Sequence, residues 1–524
     1  MFVLKSGASA DEVLKGLGEV HSLSVGRRAW ETLTYRDTFD WRLHRGGVTL
    51  TTSGAGRNTR LAATPPHGGT LRARAPKMPA FASEIPPGPL QEIVHLLAGT
   101  RRLLHKGKAR WLTLPAAVLN EDEKTVARIC FREGTALPAD SGDPIEMPIR
   151  LEIIPIKGYT KEERSVRRFI RKNFDLEEEH RSEVAAVFAA LGVHPGDYTS
   201  SFRLELDPTL SAIEASRRVH EKLFGSMLAN QEGLLADWDM EFLHDFRVAI
   251  RRARSAASQL KDVFPPIAVE DLRRELRWLG RKTGPARDMD VYLFRIPGYR
   301  ESLPEGADKD LEPLVRLLRE KKKKELGMLR RCLRSARHRR LVKDWAVFID
   351  GRKLGEDPGP EAHRPIAAVA SERIWQAFEK VIRKGGDIGP QTPAKALHRL
   401  RLDCKKLRYL ISFFRSLYPA EELDSITQEL KSLQKHLGEF NDLQVQQEAL
   451  RRFAEELMET KRGPPATLLA MGQLLGQLEA AQAGERAMFH QHFSQFARPA
   501  NRKRFRALFG PRPSAPPDRE EESA

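Results

Sequence analysis

LHDFRVAIRRARSAASQLKDVFPP (Leu243–Pro266) and LHRLRLDCKKLRYLISFFRSLYPA (Leu397–Ala420) are the two stretches on which the fold turns. They align at an offset of 154 residues. In that register His244 meets His398, Arg247 meets Arg401, Arg254 meets Arg408, Arg251-Arg252 meet Lys405-Lys406, and Phe264-Pro265 meets Tyr418-Pro419. Without a gap, LRWLGRKTGPARDMDV (Leu276–Val291) then meets LKSLQKHLGEFNDLQV (Leu430–Val445), placing Leu276, Leu279, Gly284, Asp288 and Val291 on Leu430, Leu433, Gly438, Asp442 and Val445. One unbroken register over 49 positions points to a duplication with two halves related by pseudo-symmetry.

Both stretches carry a helical period. With His244 at 0° on a helical wheel, Arg247 falls near ~300°, Arg251 near ~340°, Arg254 near ~280° and Lys261 near ~260°. Phe242, Phe246, Ala253, Ala257, Leu260 and Phe264 gather on the opposite face. In the second copy His398, Arg401, Lys405, Arg408 and Arg415 share a stripe, while Arg252 and Lys406 point off it, near ~80°. Like charges at i,i+3 and i,i+4 cost a few tenths of a kcal/mol per pair. The five positions of each stripe include no carboxylate, so relief should come from outside the helix, and an anion with repeated charges fits. Guanidinium groups grip phosphate oxygens bidentately and lysine adds a point charge. The bland alternative is a solvated helix face; seeing the stripe twice in register weighs against it. For His244 and His398, ligand and structural roles both stay open. Gly284–Asp288 and Gly438–Asp442 predict helix-ending turns followed by an N-cap. Arg287 meets Asn441, so it is not a repeated basic position.

The rest of the chain frames these stretches. Its 524 residues suit two or three domains, and 40% hydrophobic with 30% charged residues describes a globular protein. The formal charge of +17 is uneven: residues 1–200 carry +5, 201–510 carry +14 and 511–524 carry −2. That localisation fits a polyanionic partner and a merely soluble basic surface about equally. No run approaches the ~18 apolar residues of a membrane helix, so no membrane partner is expected. Asp11 and Glu12 interrupt the start, which lacks an apolar signal core, so a cytoplasmic chain is expected. Cys130, Cys332 and Cys404 lie too far apart in sequence for a zinc cluster or disulfide framework.

Residues 1–200 read as mixed α/β. Strand character recurs at Val48–Thr52, Thr70–Ala73, Arg110–Leu114, Val126–Phe131 and Ile149–Ile156, between Gly/Pro/Asp-rich turns, Asp140–Pro144 among them. This predicts an antiparallel sheet or β-barrel, with helices at Lys161–Lys172 and Glu177–Leu191, the latter ended by Gly192. After Asp207, breaks at Pro265-Pro266, Gly284-Pro285, Gly351–Pro360, Gly385–Pro390, Pro419 and Pro464-Pro465 divide an all-α region of eight or more helices. The expected class is therefore α+β multidomain: an N-terminal domain over 1–200, a duplicated helical-bundle domain over 205–510 and a disordered tail over 511–524.

At His244–Arg254 (His-x-x-Arg-Val-x-x-Arg-Arg-x-Arg), the following Leu-Arg-Trp-Leu…Ala-Arg-Asp-x-Asp-Val, and His398–Tyr409 (His-x-x-Arg-x-x-x-Lys-Lys-x-Arg-Tyr), the sequence resembles the CHAD family, the conserved histidine α-helical domains, over about residues 209–510. The resemblance implies two helical bundles facing a basic groove or pore, inorganic polyphosphate as ligand and association with polyphosphate granules, with no cofactor, metal or catalysis. It implies binding roles for His244, Arg247, Arg251, Arg252, Arg254, His398, Arg401, Lys405, Lys406 and Arg408; the stripe geometry adds Lys261 and Arg415.

Residues 1–200 resemble a divergent CYTH domain of the triphosphate-tunnel type, through Tyr35-x-Asp37-Thr38…Leu43…Gly46-Gly47-x-x-Leu50, Leu151-Glu152-Ile153 and Gly158-Tyr159. That family's enzymes open with Glu-x-Glu-x-Lys; here Met1-Phe2-Val3-Leu4-Lys5 keeps only the lysine, and Glu152 stands alone later. Holding Mg²⁺ or Mn²⁺ over phosphates takes several oxygen ligands, so triphosphatase activity is not expected. Arg72, Arg74, Arg110 and Arg128 read either as an anion site or as solvated strand positions.

The expectation is a noncatalytic polyphosphate-binding protein of unassigned oligomeric state. The alternatives are a CYTH-type metal-dependent triphosphatase and a nucleic-acid-binding protein. Lys321–Lys324, Arg330–Arg340 and Arg502–Arg506 invite the last, against which stands the scarcity of aromatics on the stripes, where Tyr409 has Ser255 as its counterpart.

Overall fold

The computed structural model describes residues 1–4, 9–54, 56–138, 142–351 and 358–511, with the side chains of Arg57 and Lys261 excepted. Lys5, part of the Asp140–Pro144 turn, most of the Gly351–Pro360 break and the tail from 512 onward therefore lie outside the described residues. The chain divides into two compact units, Met1–Ser200 and Ser201–Ala524.

Alternation of apolar and polar residues builds the first unit. Its elements run β1 (Phe2–Leu4), α1 (Ala10–Gly18), β2 (Ser22–Val25), β3 (Ala29–Asp37), α2 (Arg42–Arg45), β4 (Thr49–Ser53), β5 (Thr59–Thr64), β6 (Leu71–Ala75), α3 (Pro89–Ala98), β7 (Leu104–Leu119), β8 (Thr125–Leu137), β9 (Ile145–Pro155), α4 (Thr160–Asn173), β10 (Leu176–Glu178) and α5 (Glu183–Ala190). The ten strands form one antiparallel sheet in the order β10-β1-β9-β8-β7-β3-β4-β5-β6, with β2 added beside β7. The sheet is open, so the barrel alternative falls away: β10 and β6 are its two ends. One face is buried by α1 and α4, through Val13, Leu17, Val166 and Ile170 against Phe131 and Leu151, and by α3, through Leu90 and Val94 against Leu50 and Leu61. The other face receives α5, whose Phe188 joins Tyr35, Trp41 and Trp111.

The single helix expected over Glu177–Leu191 is two elements. Glu177–Glu179 offers no apolar face to bury, and Glu177 and Glu178 pair with β1 as an edge strand. The helix starts only after Ser182, whose Oγ accepts from the Ala185 amide, and Gly192 follows it at φ +64°.

The second unit holds ten α-helices among its described residues: α6 (Ala212–Ala236), α7 (Met240–Gln259), α8 (Pro266–Glu301), α9 (Glu312–Leu333), α10 (Ala336–Asp350), α11 (Ile366–Gly386), α12 (Ala394–Phe413), α13 (Ala420–Glu459), α14 (Pro465–Ala497) and α15 (Pro499–Phe509). Among the described residues no helix is long and apolar enough to cross a membrane. The helix starts follow capping chemistry: Ser211 and Glu214 form a capping box for α6, and the Asp239 carboxylate accepts from two amides of α7. α7 and α12 end alike. Each runs into a short 3₁₀ turn, Lys261–Val263 or Arg415–Leu417, and a proline (Pro265 or Pro419) then starts the long α8 or α13.

The breaks expected at Gly284-Pro285 and Gly438 do not occur. Both glycines lie inside uninterrupted helices, so Asp288 and Asp442 are helix-interior residues and not N-caps. Pro285 removes one backbone donor from α8. Side chains hold the turn just before it: the Gly280 carbonyl accepts from Thr283 Oγ1 (3.1 Å) and from Arg247 Nη1 (3.0 Å).

Candidate anion-binding site

The buried faces of α7 and α12 orient the stripes. Phe242, Phe246, Ala249, Ala253 and Ala256 bury one side of α7; Leu397, Leu400, Cys404, Leu407 and Ile411 do so for α12. The basic residues are left on the complementary sides, and the two helices touch through them. Arg251 Nε of α7 donates to Tyr409 Oη of α12 at 2.7 Å. The Arg252 and Arg408 guanidinium groups each lie 5.8 Å from the Tyr409 ring centre. Tyr409 is buried, so its ring serves as the floor between the stripes.

Mutual charge shows that the stripes meet. Burial, then Arg401 and Arg251, hold the Lys405 ammonium down to about 7. Burial pushes the Arg401 guanidinium below its ordinary value, with Arg251 adding to the effect and Asp442 opposing it. The same holds for Arg247 with Arg251 as a repelling neighbour, and for Arg254 with Arg277, Arg251 and Arg273. Arg251 thus repels partners on both α7 and α12 and sits at the centre of the cluster. The arginines stay charged; the strain falls on Lys405, the member with a titratable range near neutrality.

Part of the relief that the stripes need comes from the neighbouring helices. Arg401 Nη2 donates to Asp442 Oδ1 of α13 at 3.3 Å, and Arg295 Nη2 of α8 stands 3.9 Å from the other oxygen of that carboxylate. Arg247 feels Asp288 of α8 as an opposing charge and hydrogen-bonds Thr283 at 2.8 Å. So Asp288 and Asp442 each serve the first arginine of a stripe. Arg251, Arg254, Lys405 and Arg408 have no carboxylate at ion-pair distance among the described residues. Arg401 Nε and Arg252 Nε are buried without a hydrogen-bond partner.

The remaining expected residues are placed as follows. His398 is exposed, with Nδ1 2.5 Å from Asn441 Oδ1. His244 is half-buried on α7. Arg252 is turned off the stripe between the rings of Tyr409 and Phe202, and burial lowers its pKa. Lys406 points the other way, 3.8 Å from Asp403, a carboxylate shared with Lys380 and Lys384. Arg415 leaves the stripe because α12 ends at Phe413; from the 3₁₀ turn it pairs with Asp424 at 2.8 Å. Lys261 likewise falls in a 3₁₀ turn beyond α7, and its side chain lies outside the described residues. Stripe reasoning missed Arg273, Arg277 and Arg295, which α8 brings to the cluster. Arg277 aligns with Lys431 at the 154-residue offset, so the repeat could have supplied it.

The first unit has a cavity of about 940 Å³ on the sheet face that carries α5, lined by Arg60, Arg72, Arg74 and Arg132 with Glu31, Tyr35, Glu183 and several threonines. Arg132 and Tyr35 both bond Glu183, which ties α5 to the sheet. Of the four arginines singled out by sequence, Arg72 and Arg74 line this cavity. Arg110 and Arg128 do not: Arg110 lies 4.3 Å from the Trp30 ring centre and Arg128 is exposed. Among the described residues no group of three or more His, Cys, Asp or Glu side chains is arranged to hold a metal ion.

Two curated proteins of Mycobacterium tuberculosis, both named uncharacterized (MT2285 of strain CDC 1551 and Rv2226 of strain H37Rv), are each 27% identical over 275 residues, 52% of this chain. The match spans about half (50%) of those relatives' length. Among solved structures, the CHAD domain from the plant Ricinus communis is 24% identical, covers 60% of this chain and 97% of its own, and superposes with a TM-score of 0.45. PptA from Streptomyces chartreusis is 18% identical, covers 54% of this chain and all (100%) of its own, with a TM-score of 0.42. The family model that matches is that of the CHAD domain: it spans residues 218–451, from within α6 to within α13, so the helical unit carries a CHAD domain.

Proposed function

We propose that this protein is a noncatalytic binder of inorganic polyphosphate, acting in the cytoplasm at polyphosphate granules. The carrying observation is the pair of facing stripes in which Arg251, Arg254, Lys405 and Arg408 lack carboxylate partners while repelling one another. A linear chain of phosphates would supply the missing counter-charge to both helices at once, with Arg247, Arg401, His244 and His398 at the flanks. The two stripes are the halves of a duplicated, pseudo-symmetric domain in this reading; the like 3₁₀-turn-and-proline endings of α7 and α12 support it. Lys406, Arg415 and Lys261 contribute long-range charge at the margins.

Polyphosphate binding should weaken steeply with salt, by the same counterion release that governs nucleic acids. The test is a titration of the full chain with polyphosphate at two salt concentrations. Arg251→Glu with Lys405→Glu should lower affinity at least tenfold with helical circular dichroism intact; unchanged affinity would reject the reading.

The first unit is read as a divergent CYTH-like domain that has kept an anion-attracting cavity, with Arg60, Arg72, Arg74 and Arg132, while its sequence offers only Glu152 where the tunnel enzymes supply several oxygen ligands for metal-assisted hydrolysis. Release of phosphate from tripolyphosphate with Mg²⁺ or Mn²⁺, above a Glu152→Gln control, would overturn the noncatalytic assignment.

A further inference from the structure

The third basic stripe of the helical unit lies apart from α7 and α12. On α15, Pro499, Arg502, Lys503 and Arg506 follow the i, i+3, i+4, i+7 spacing and so share one helix face. That face, with Trp375, Glu379, Ile382 and Arg383 of α11, lines a groove of about 1250 Å³. The volume exceeds the ~300–1,000 Å³ of an ordinary small-molecule pocket, so the groove suits a segment of chain better than one compact molecule. Its frame is rigid: Phe378 of α11 stacks on Phe505 of α15 with ring centres 3.8 Å apart, both buried.

Charge and aromatic surface coincide here. Lys380 is held 3.5 Å from Asp403, and Arg498 and Arg504 turn away to Glu429 and Ser425. Arg383, Arg502, Lys503 and Arg506 have no carboxylate at ion-pair distance among the described residues, and Arg383, Arg502, Lys503 and Arg506 are exposed. Among the described residues Glu379 is the single acid in the lining. Beside them Trp375 is half-buried, braced by Phe378 at 5.6 Å. The stripes of α7 and α12 present no comparable ring, because Tyr409 is buried beneath their side chains. A polymer of bare phosphates has no use for an indole wall; a chain that alternates phosphates with flat bases uses both features.

We infer that the groove between α11 and α15 is a second polyanion site, which takes single-stranded nucleic acid with a base against Trp375 and backbone phosphates on Arg383, Arg502, Lys503 and Arg506. It stands independently of the polyphosphate reading.

The probe is a fluorescently labelled oligothymidylate, compared with an abasic deoxyribose-phosphate oligomer of equal length, on the full chain by polarisation. Wild type should prefer the oligothymidylate at least about fivefold. Trp375→Ala should abolish that preference and Trp375→Phe should restore part of it. Arg383→Glu with Arg506→Glu should weaken oligothymidylate binding about tenfold or more, while Arg251→Glu with Lys405→Glu should leave the preference intact. Equal binding of the two oligomers by wild type, or a preference that survives Trp375→Ala, would overturn the proposal. So would a preference lost on the α7/α12 variant but kept on the groove variant. Should the double charge reversal unfold the helices, the Trp375 pair alone decides.

Discussion

Lys405 makes the α7/α12 site a proton-linked one. In the free protein burial, Arg401, Arg251 and Arg408 disfavour its ammonium, and Asp442 alone opposes them, which leaves the group near 7. A polyphosphate chain laid across the stripes favours the charged form and returns it toward its ordinary 10.5. Binding then takes up a proton wherever the pH exceeds about 7. With the bound form fully protonated, affinity falls about 30-fold from pH 6 to pH 8.5, roughly 2 kcal/mol. Calorimetry in two buffers of different ionisation enthalpy at pH 8 should show uptake of about 0.9 proton per Lys405 engaged. Lys405→Arg keeps the charge at every working pH and should bind with a nearly flat profile, which also subtracts the titration of chain ends and histidines. The ligand-free protein carries the opposite sign. The folded pKa lies below the unfolded one, so the folded state binds fewer protons between about 7 and about 10 and its stability rises with pH across that window. If wild type and Lys405→Arg show the same pH dependence, the reasoning is wrong.

Three further outcomes follow from the packing. Asp442→Asn removes the carboxylate facing Arg401 and Arg295 and should tighten polyphosphate binding about two- to fivefold in a salt-dependent manner; weaker binding would instead make Asp442 a positioning residue for Arg401. Tyr409→Phe deletes the acceptor of Arg251 and should cost about 1–2 kcal/mol, read as a lowered melting temperature of the helical signal. Gly233→Ala places a methyl group 2.3 Å from the Phe242 ring, where α6 meets α7, and should destabilise by about 1–3 kcal/mol in the same assay.

The legible parts of the fold were those set by local chemistry. Strands such as Val126–Phe131 and Ile149–Ile156 alternate clearly enough to be found, and the structure extends them to Thr125–Leu137 and Ile145–Pro155. Strand β3 (Ala29–Asp37) is hidden in the sequence because its polarity does not alternate: apolar Trp30 lies on the exposed side, while the acidic Glu31 and Asp37 share the side of buried Tyr35. Sheet closure could not be read either, since an open edge and a barrel seam differ only in long-range pairing. Gly284-Pro285 misled for a physical reason. Proline and glycine are strong breakers in an isolated helix, but α8 runs on through them, and bonds from Arg247 to the Gly280 carbonyl and to Thr283 Oγ1 tie the turn just before them to α7. Those bonds come from another helix, at least 33 residues away in the chain.

The site was legible to the extent that helix geometry alone defines it. Angular spacing placed Arg252 and Lys406 off the stripes, where the structure also puts them, on Tyr409 and Asp403. It misplaced Arg415, because a 3₁₀ turn ends the regular rotation at Phe413. The deeper gap concerned charge balance. A stripe without carboxylates calls for an external anion at all of its positions, yet Asp288 and Asp442 come from α8 and α13 to balance Arg247 and Arg401. The uncompensated charge narrows to Arg251, Arg254 and Arg408, with Lys405 offset only by the more distant Asp442, at the line where α7 meets α12. That narrowing sharpens the functional argument. If all ten stripe positions were uncompensated, each helix could hold its own anion. With compensation at the flanks, the strongest demand for counter-charge lies between the two helices, where a single chain satisfies both. Severing the contact with Tyr409→Phe therefore leaves every cation in place but loosens the line that unites them, and polyphosphate affinity should fall on long chains more than on tripolyphosphate, which needs only one helix. An equal loss for both ligands would mean that the two stripes bind separately.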